Sequence, residues 1–299
     1  MIGLKQFYNG LNILVTGGTG FIGSHISEKL VNLGANVTVL SRKCSPTNLA
    51  AVKDKIKFVK GDIQNFDICL AATKNIDVVF HLAAFISAPD SVTNPLECQN
   101  TNIGGTFNML EACRQNNVPK FILSSSAAVY GSTDKICSED SPCAPESPYG
   151  YSKLIGEQLC KQYFNLYNTK TLCLRYFNVF GERQNPNGAY AAVVAKFKHS
   201  LKNNEQITIF GDGQQTRDFV PVEKVAETNL TLAMLDEPLN GQAVNVASGK
   251  SINILELFEQ LKINFPTYQL PLKFKPARAG DPKNSFANCK KLKELLKPF

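Results

Sequence analysis

A tyrosine and a lysine four residues apart, Tyr149 and Lys153, begin a segment whose apolar residues recur with helical periodicity after Pro148. Residues at this spacing lie one turn apart on the same helix face. A lysine ammonium close to a phenol favours its ionised form, and a tyrosine tuned in this way is a general acid or base near neutral pH. As an isolated pattern, however, the pair is more often an exposed pair without function. The surrounding elements must decide whether this pair has a catalytic function.

Three serines end the short apolar run Phe121–Leu123, which we predict to be a buried strand. Side chains at the carboxyl ends of parallel strands line clefts. We therefore expect the hydroxyl of Ser126, the last of the three serines, to face a pocket.

A glycine-rich loop lies between a β-rich run, Asn12–Thr16, and a helical segment. Its spacing is G-x-x-G-x-x-G, which differs from the commonest dinucleotide fingerprint, G-x-G-x-x-G. Glycines allow a tight turn and close approach to a pyrophosphate, and the helix N-terminus offers unpaired N–H groups. The order of strand, loop and helix favours dinucleotide binding over a simple turn, with contacts from Gly17, Gly20, Phe21, Ile22 and Gly23.

The second predicted strand, Asn36–Leu40, ends in Ser41, Arg42 and Lys43. NAD sites usually carry an acidic residue at this point for the ribose 2′-hydroxyl, whereas an arginine accommodates a 2′-phosphate. The sequence therefore favours NADP slightly over NAD. The alternative is that Arg42 covers the adenine or lies in solvent, and NAD stays open.

Further apolar runs predict strands at 57–63, 77–84, 121–126 and 171–177, separated by helical segments that include a long helix from about 93 to 116. This alternation indicates right-handed βαβ units and hence an α/β, Rossmann-type, doubly wound parallel sheet. We predict that residues 1–178 form the dinucleotide-binding domain. Residues 179–299 would form mainly a smaller α/β substrate lobe, with short strands at 206–210, 218–222 and 242–246, and would partly return to the first domain.

The composition excludes several classes of protein. The 299 residues are 43% hydrophobic and 19% charged, and the net charge of +7 is spread along the chain. This suits a polyanionic small ligand, whereas nucleic-acid binding would more often show a clustered basic stripe. Nine cysteines without C-x-x-C and three dispersed histidines predict free thiols and no metal site. Without a signal peptide or membrane span, we expect a cytoplasmic protein.

Taken together, these motifs resemble the extended short-chain dehydrogenases/reductases of the NAD-dependent epimerase/dehydratase family, most of all its UDP-glucose and UDP-N-acetylglucosamine 4-epimerases. The resemblance covers nearly the whole chain. Beyond the glycine loop, it rests on Asp62, 81–84, Asn102, Gly105–Thr106, 124–126, 129–131, 147–150, Lys153, 174–178, Arg183–Gln184, 209–213, 215–219 and 278–281.

The resemblance implies a role for each matched position. Ser126 would bind the sugar 4-oxygen, Tyr149 would accept its proton, and Lys153 would bind the cofactor ribose and lower the tyrosine pKa. The cofactor would further contact the glycine loop, Ser41, Arg42, Asp62, Ile63, Leu82, Ala83, Ala84, Ser124 and Phe177. The nucleotide sugar would contact Ser87, Ser126, Asn178, Phe210, Arg217, Arg278, Asp281 and Ser285. Paired helices near 93–116 and 150–167 would form a homodimer.

The favoured activity is C4 epimerisation of a UDP-hexose through a 4-keto intermediate. An NADPH-dependent 4-ketosugar reductase is the alternative that Ser41 and Arg42 favour, and a non-catalytic nucleotide-sugar or dinucleotide binder is a remote one. A 4,6-dehydratase is disfavoured, because related dehydratases carry acidic residues where Ala127 and Ala128 follow Ser126. In the 4-epimerases that the chain resembles, the position that matches Ser285 flanks the C2 substituent of the sugar, and a small residue there is associated with accepting N-acetyl sugars. The resemblance therefore implies a pocket that accepts a 2-acetamido hexose as well as, or instead of, a plain hexose, with Ser87 as a further candidate contact.

Overall fold

The computed structural model describes residues 3–43, 47–185, 193–237, 239–277 and 284–298. The strands are β1 (Asn12–Thr16), β2 (Asn36–Ser41), β3 (Ile56–Lys60), β4 (Val78–His81), β5 (Lys120–Ser126), β6 (Lys170–Tyr176), β7 (Asn178–Phe180), β8 (Thr208–Phe210), β9 (Thr216–Pro221), β10 (Asn240–Val246), β11 (Ser251–Asn253) and β12 (Lys273–Lys275). The helices are α1 (Leu4–Tyr8), α2 (Phe21–Asn32), α3 (Phe66–Ala72), α4 (Ala88–Thr93), α5 (Pro95–Gln99), α6 (Gly105–Gln115), α7 (Pro148–Tyr167), α8 (Val193–Asn203), α9 (Val222–Met234), α10 (Ile254–Lys262) and α11 (Lys290–Leu296).

Seven strands form one parallel sheet in the order β10-β6-β5-β4-β1-β2-β3. The chain starts near the middle, at β1, winds outwards to β3, and then returns to β4 and winds the other way. This order confirms the predicted doubly wound α/β fold. The strands are nearly continuous in apolar residues because helices cover both faces of the sheet.

Two hydrophobic cores cover the two faces of the sheet. On one face, alternate strand residues such as Ile13 and Val15 pack against α2 and α9. On the other face, the intervening residues, such as Leu14, pack against α3, α6 and α7. The alternation follows from the strand period of two, and it leaves the carboxyl ends of the strands as the open edge.

The remaining strands build a smaller unit beside this edge. Strand β9 pairs with β7 and β11, β8 pairs with β12, and α8 and α10 enclose a separate core around Phe197 and Phe258. The chain also returns to the large sheet, because β10 pairs with β6 and α9 packs on its face. The division into two domains at residue 178 stays a prediction.

The predicted helix from 93 to 116 is wrong in detail, because the segment is divided into α5, a π-helical turn at Asn100–Gly104, and α6. Asn94 takes a non-helical conformation (φ −126°, ψ 57°), which separates α4 from α5. This agrees with the steric restriction that a proline, here Pro95, places on the residue before it. The π turn buries Asn102, whose side chain bonds to both the N–H and the carbonyl of Phe85.

The described ranges contain no helix that is both long and apolar enough to cross a membrane. The eight cysteines in these ranges are free, in agreement with the prediction, and Cys44 lies outside the described residues.

A buried histidine joins β4 to its neighbours. The two ring nitrogens of His81 lie 2.9 Å from Thr16 Oγ1 and 3.2 Å from Thr106 Oγ1. Thr16 Oγ1 also accepts hydrogen bonds from the backbone N–H groups of Leu82 and Ala83. Burial, with a smaller effect of the nearby Lys153 charge, lowers the pKa of His81 to about 3. The imidazole is therefore neutral across the physiological range.

This histidine predicts a specific loss of stability in acid. The unfolded chain takes up a proton near pH 6.5, whereas folded His81 does so only near pH 3. Its contribution is therefore complete above pH 6.5 and is lost as the pH falls towards 3, by about 2 kcal/mol at pH 5. We expect His81→Gln to flatten the dependence of the unfolding free energy on pH between 7 and 5, measured by urea titration. His199→Gln is the control, and equal slopes in wild type and His81→Gln would contradict the prediction.

Candidate functional site

A cleft of about 1090 Å³ opens at the carboxyl edge of the central sheet. The predicted cofactor and catalytic residues all line it, together with one predicted substrate residue, Asn178: Gly17, Gly20, Phe21, Ile22, Gly23, Ser41, Arg42, Asp62, Ile63, Leu82, Ala83, Ala84, Ser124, Ser126, Tyr149, Lys153, Phe177 and Asn178. The structure thus brings together residues from seven parts of the chain. A large cleft at the point where the strand order reverses is where ligands of open α/β sheets bind.

The glycine loop has the shape that a dinucleotide requires. Gly17 has a left-handed φ of +67°, and a Cβ atom there would come within 2.8 Å of Ala83 N. At Gly23, a Cβ atom would lie 2.4 Å from the carbonyl oxygen of Gly17. Only glycine fits at either point. Because α2 begins directly after Gly20, its free N–H groups face the cleft and suit a pyrophosphate.

The end of β2 carries hydroxyl and basic groups. Ser41 Oγ lies 2.9 Å from Thr19 Oγ1, and both residues line the cleft beside Arg42 and Lys43. Arg42 forms a loose ion pair with Glu97, with 3.8 Å between Nη1 and Oε1, and both side chains are more than half exposed. Such a pair is weak in solvent, so the guanidinium is available to a ligand phosphate.

Tyr149, Lys153 and Ser126 meet at the centre of the cleft. Tyr149 and Lys153 lie on α7, as predicted, and Ser126 ends β5. Lys153 Nζ lies 5.8 Å from the Tyr149 ring centroid and donates a hydrogen bond of 2.8 Å to the Ser124 carbonyl. Ser147 caps the helix by accepting from Gly150 N, and the N–H of Tyr149 is held by Ser91 Oγ. The start of α7 is thus fixed by two serine hydroxyls, and the Lys153 ammonium is held by the Ser124 carbonyl.

The two titratable groups are shifted in opposite directions. Burial raises the pKa of the Tyr149 phenol, and its hydrogen bond with Ser126 acts in the opposite direction. Burial lowers the pKa of Lys153 to about 8, against the attraction of Cys98 and Glu157. The predicted lowering of the Tyr149 pKa by Lys153 is therefore not the net effect in the protein alone, because desolvation dominates at this depth.

Two of the predicted substrate residues, Asn178 in the cleft and Ser285 beside it, lie close together. Asn178 Nδ2 donates to the carbonyl of Asp218 at 3.0 Å and approaches Ser285 Oγ at 3.5 Å. Arg217 is buried on β9 beside them and donates to the carbonyl of Thr216. Phe210 ends β8, further along the smaller unit. Phe210, Arg217 and Ser285 are not among the residues that line the cleft itself.

The other predicted substrate contacts are placed differently. Ser87 is buried and caps α4, since its hydroxyl accepts from Asp90 N at 3.0 Å. The Ser87 hydroxyl therefore has a structural role, which is the alternative to a contact with the sugar. Arg278 and Asp281 lie outside the described residues.

The sequence analysis missed several groups at this site. Gln184 lines the cleft, and its Oε1 is buried without a hydrogen-bond partner within the described ranges, so it can accept from a ligand. Thr19, in the glycine loop, bonds to Ser41. The buried pair of Glu157 and Arg175 lies behind the serines. The only sequence signal for Glu157 was its position one helical turn after Lys153.

Comparison with known proteins agrees with this geometry. Residues 13–247 match the model of the NAD dependent epimerase/dehydratase family. The chain belongs to this family. It is also 36% identical over 293 residues to the UDP-glucose 4-epimerase of Mycolicibacterium smegmatis, an alignment that covers 96% of this chain and 92% of that protein.

Solved structures of similar proteins have the same fold. A UDP-N-acetylglucosamine 4-epimerase from Methanobrevibacter ruminantium, in complex with UDP-N-acetylmuramic acid, has a TM-score of 0.91 and 37% identity, covering 96% of this chain and 92% of that one. The UDP-glucose 4-epimerase of Thermus thermophilus, in complex with NAD, has a TM-score of 0.85 and 32% identity, covering 95% and 92%. The predicted family and fold are confirmed.

Proposed function

We propose that the protein is a UDP-hexose 4-epimerase that acts through a 4-keto intermediate. The observation that carries this proposal is the meeting of Ser126, Tyr149 and Lys153 in a cleft that also contains the glycine loop. Relatives with 4-epimerase names, similar along nearly the whole chain, support it. A protein that only binds nucleotide sugars would not need these three groups together.

The chain's own residues supply the proton transfer. Tyr149 takes the proton from the sugar 4-hydroxyl, and Ser126, whose hydroxyl lies near the phenol and lowers its pKa, orients the sugar hydroxyl. A bound nicotinamide would supply the hydride acceptor for C4 in its oxidised form, whose positive charge would favour the phenolate, and the hydride donor in its reduced form. Lys153, held by the Ser124 carbonyl, adds a second positive charge at this edge of the cleft. Tyr149 returns the proton once the keto sugar has presented its other face.

The glycine loop and the end of β2 would hold the dinucleotide. Gly17 and Gly23 leave the space that a pyrophosphate needs, and the N-terminus of α2 offers it N–H groups. Asp62, at the edge of the same cleft, would accept from the adenine amino group, and Ile63, Leu82, Ala83 and Ala84 would line its path. NAD is the cofactor named in the family and in a similar structure.

A second candidate function, an NADPH-dependent 4-ketosugar reductase, rests on Thr19, Ser41, Arg42 and Lys43. These four residues line the cleft at the end of β2, and their hydroxyl and basic groups are of the kind that binds a ribose 2′-phosphate. The reductase would use Tyr149 as an acid and exchange its cofactor in every turnover. The 4,6-dehydratase stays disfavoured, since Ala127 and Ala128 begin the turn after Ser126.

The nucleotide sugar would lie across the mouth of the cleft. Asn178, Arg217 and Arg278 would bind its diphosphate, since charge-assisted arginine contacts fix phosphate orientation. Asp281 would bind the nucleoside ribose, and Phe210 would contact the nucleotide. The proximity of Asn178 to Ser285, at 3.5 Å, supports a place for Ser285 near the sugar.

A homodimer is the proposed assembly. Large apolar side chains on α4, α5, α6 and α7 are exposed, including Leu96 at 74%, Tyr151 at 55% and Phe107 at 47%. They lie on the two predicted interface segments, near 93–116 and 150–167. Apolar residues exposed in this number on neighbouring helices mark protein interfaces.

Replacing Tyr149 with phenylalanine tests the catalytic role. The change removes the proton-transfer group and keeps the ring, so we expect a loss of about 10²- to 10⁴-fold in kcat with cofactor binding retained. Tyr167→Phe is the matched control, because Tyr167 lies on the same helix and is 50% exposed. Conversion of UDP-glucose would be followed by NMR, and a near-normal rate in Tyr149→Phe would remove this residue from the mechanism.

Arg42→Ala distinguishes the two cofactors. If Arg42 binds a 2′-phosphate, its loss should weaken NADP but not NAD, by roughly 1.5–3 kcal/mol, the range for a charged hydrogen bond. Glu97→Gln frees Arg42 from its ion pair and should leave NADP binding equal or tighter. Calorimetric titration of both cofactors measures this, and equal weakening of both by Arg42→Ala would show that Arg42 does not discriminate.

Ser285→Tyr tests the size of the sugar pocket. A bulky side chain beside Asn178 should suppress turnover of UDP-N-acetylglucosamine and largely spare UDP-glucose, because overfilling a pocket costs about 1–3 kcal/mol. Ser285→Ala keeps the space and should retain both activities. The size proposal is wrong if wild type ignores the N-acetyl sugar, or if the tyrosine variant loses both substrates equally.

A further inference from the structure

The carboxylate of Glu157 is buried on α7, one turn after Lys153, with only 6% of its side chain exposed. It accepts two hydrogen bonds from Arg175, 2.9 Å from Nε and 2.7 Å from Nη2. It also accepts a bond of 2.5 Å from Ser125 Oγ. One side chain on the catalytic helix thus holds two neighbouring strands of the sheet.

The register of the strands explains why these groups meet. Ser125 on β5 and Arg175 on β6 are direct partners in the parallel ladder, so their side chains share the face that α7 covers. Ser124 and Ser126 flank Ser125: the Ser124 carbonyl accepts a hydrogen bond from Lys153, and the Ser126 hydroxyl lies near enough to the phenol of Tyr149 to lower its pKa. Because Glu157 holds Ser125, it also fixes the position of the backbone between Ser124 and Ser126.

The arginine is fixed from its other side as well. Its Nη1 donates to Tyr130 Oη at 2.9 Å, and that hydroxyl donates to Asn245 Oδ1 on β10 at 2.6 Å. Its guanidinium carbon also lies 4.8 Å from the Tyr130 ring centroid. With both ends satisfied, the pair has one geometry, so Glu157 cannot turn away from Ser125.

A buried ion pair of this kind is weak evidence for stability, because desolvation offsets much of the attraction. An apolar pair of similar volume would fill the same space without that cost. An apolar pair could not supply a hydrogen-bond acceptor for Ser125. A geometric role therefore explains the presence of the charged pair.

We propose that Glu157 is a positioning residue: held by Arg175, it fixes Ser125 and thereby keeps the Ser124 carbonyl against Lys153 and the Ser126 hydroxyl against Tyr149. Its kinetic part rests on the proposed epimerase function, because it acts through the proton-transfer groups of that reaction. The part that concerns Lys153 is testable without turnover.

Glu157 also acts on Lys153 through its charge. The charged and titratable groups around Lys153 are Cys98 from α5, His81 from β4, and Tyr149 and Glu157 from its own helix. Of these, the attraction of Cys98 and Glu157 supports the charged lysine against burial. Removing the carboxylate should therefore lower the pH at which Lys153 loses its proton.

Three variants separate positioning from stability. Ser125→Ala removes the link to β5 and leaves the ion pair intact. Glu157→Leu/Arg175→Met replaces the pair with apolar side chains, which avoids an unpaired buried charge. Lys120→Met is the matched control, since this buried lysine starts the same strand at its far end and donates to the carbonyls of Ala233 and Leu235.

Each variant is measured in two ways. Turnover of UDP-glucose gives kcat and KM, and NMR of protein labelled with ¹³C at the lysine Cε follows the titration of Lys153, assigned with Lys153→Met. We expect kcat to fall about tenfold in Ser125→Ala and further in the double variant, with KM within twofold of wild type. We also expect Lys153 to titrate at lower pH in the double variant, and Lys120→Met to match wild type in both measurements.

Several results would overturn the proposal. It fails if Ser125→Ala keeps kcat within twofold of wild type, or if the folded double variant is as fast as wild type. It also fails if Lys153 titrates at an unchanged pH in the double variant. A wild-type protein that turns over no UDP-hexose would instead refute the proposed function, and the NMR titration would still decide the part of the proposal that concerns Lys153.

Discussion

The parallel alignment of β1, β4, β5 and β6 is the constraint on which the rest of the structure depends. Because these strands run in the same direction, their carboxyl ends meet at one edge, and the chain turns there into the glycine loop, the Leu82–Ala84 segment and the serines. The edge is held together by direct contacts across strands, such as Gly17 against Ala83 and Thr16 against His81. A larger residue at Gly17 would push β1 and β4 apart and open the cleft.

Local patterns were sufficient to predict most of this edge. Gly17 and Gly23 were identifiable because a glycine loop between a strand and a helix has few other uses, and Tyr149 and Lys153 because their spacing matches a helical turn. These signals come from residues close together in the chain. The family resemblance then assigned roles that spacing alone left open.

Contacts between distant parts of the chain could not be predicted in this way. The bond between Glu157 and Ser125 depends on the register of β5 against β6 and on where α7 crosses them, neither of which is written in the periodicity. The π turn before α6 depends on the burial of Asn102 against Phe85. The break at Asn94, in contrast, agrees with the local restriction from Pro95, which is a signal in the sequence itself. The direction of the Tyr149 pKa was also missed, because burial depends on the whole fold whereas the Lys153 contact is local.

The shifts of Tyr149 and Lys153 have one physical origin. Burial makes the charged form of each group unfavourable, so the protein alone favours a neutral phenol and weakens the charge of the lysine. Both effects work against a phenolate–ammonium pair. A ligand that brings positive charge to the cleft would favour the phenolate, and the diphosphate groups of the cofactor and substrate would favour the charged lysine. Glu157 is the one acid of α7 placed to support that lysine before any ligand binds, and its cost in desolvation is consistent with a site arranged for chemistry more than for stability.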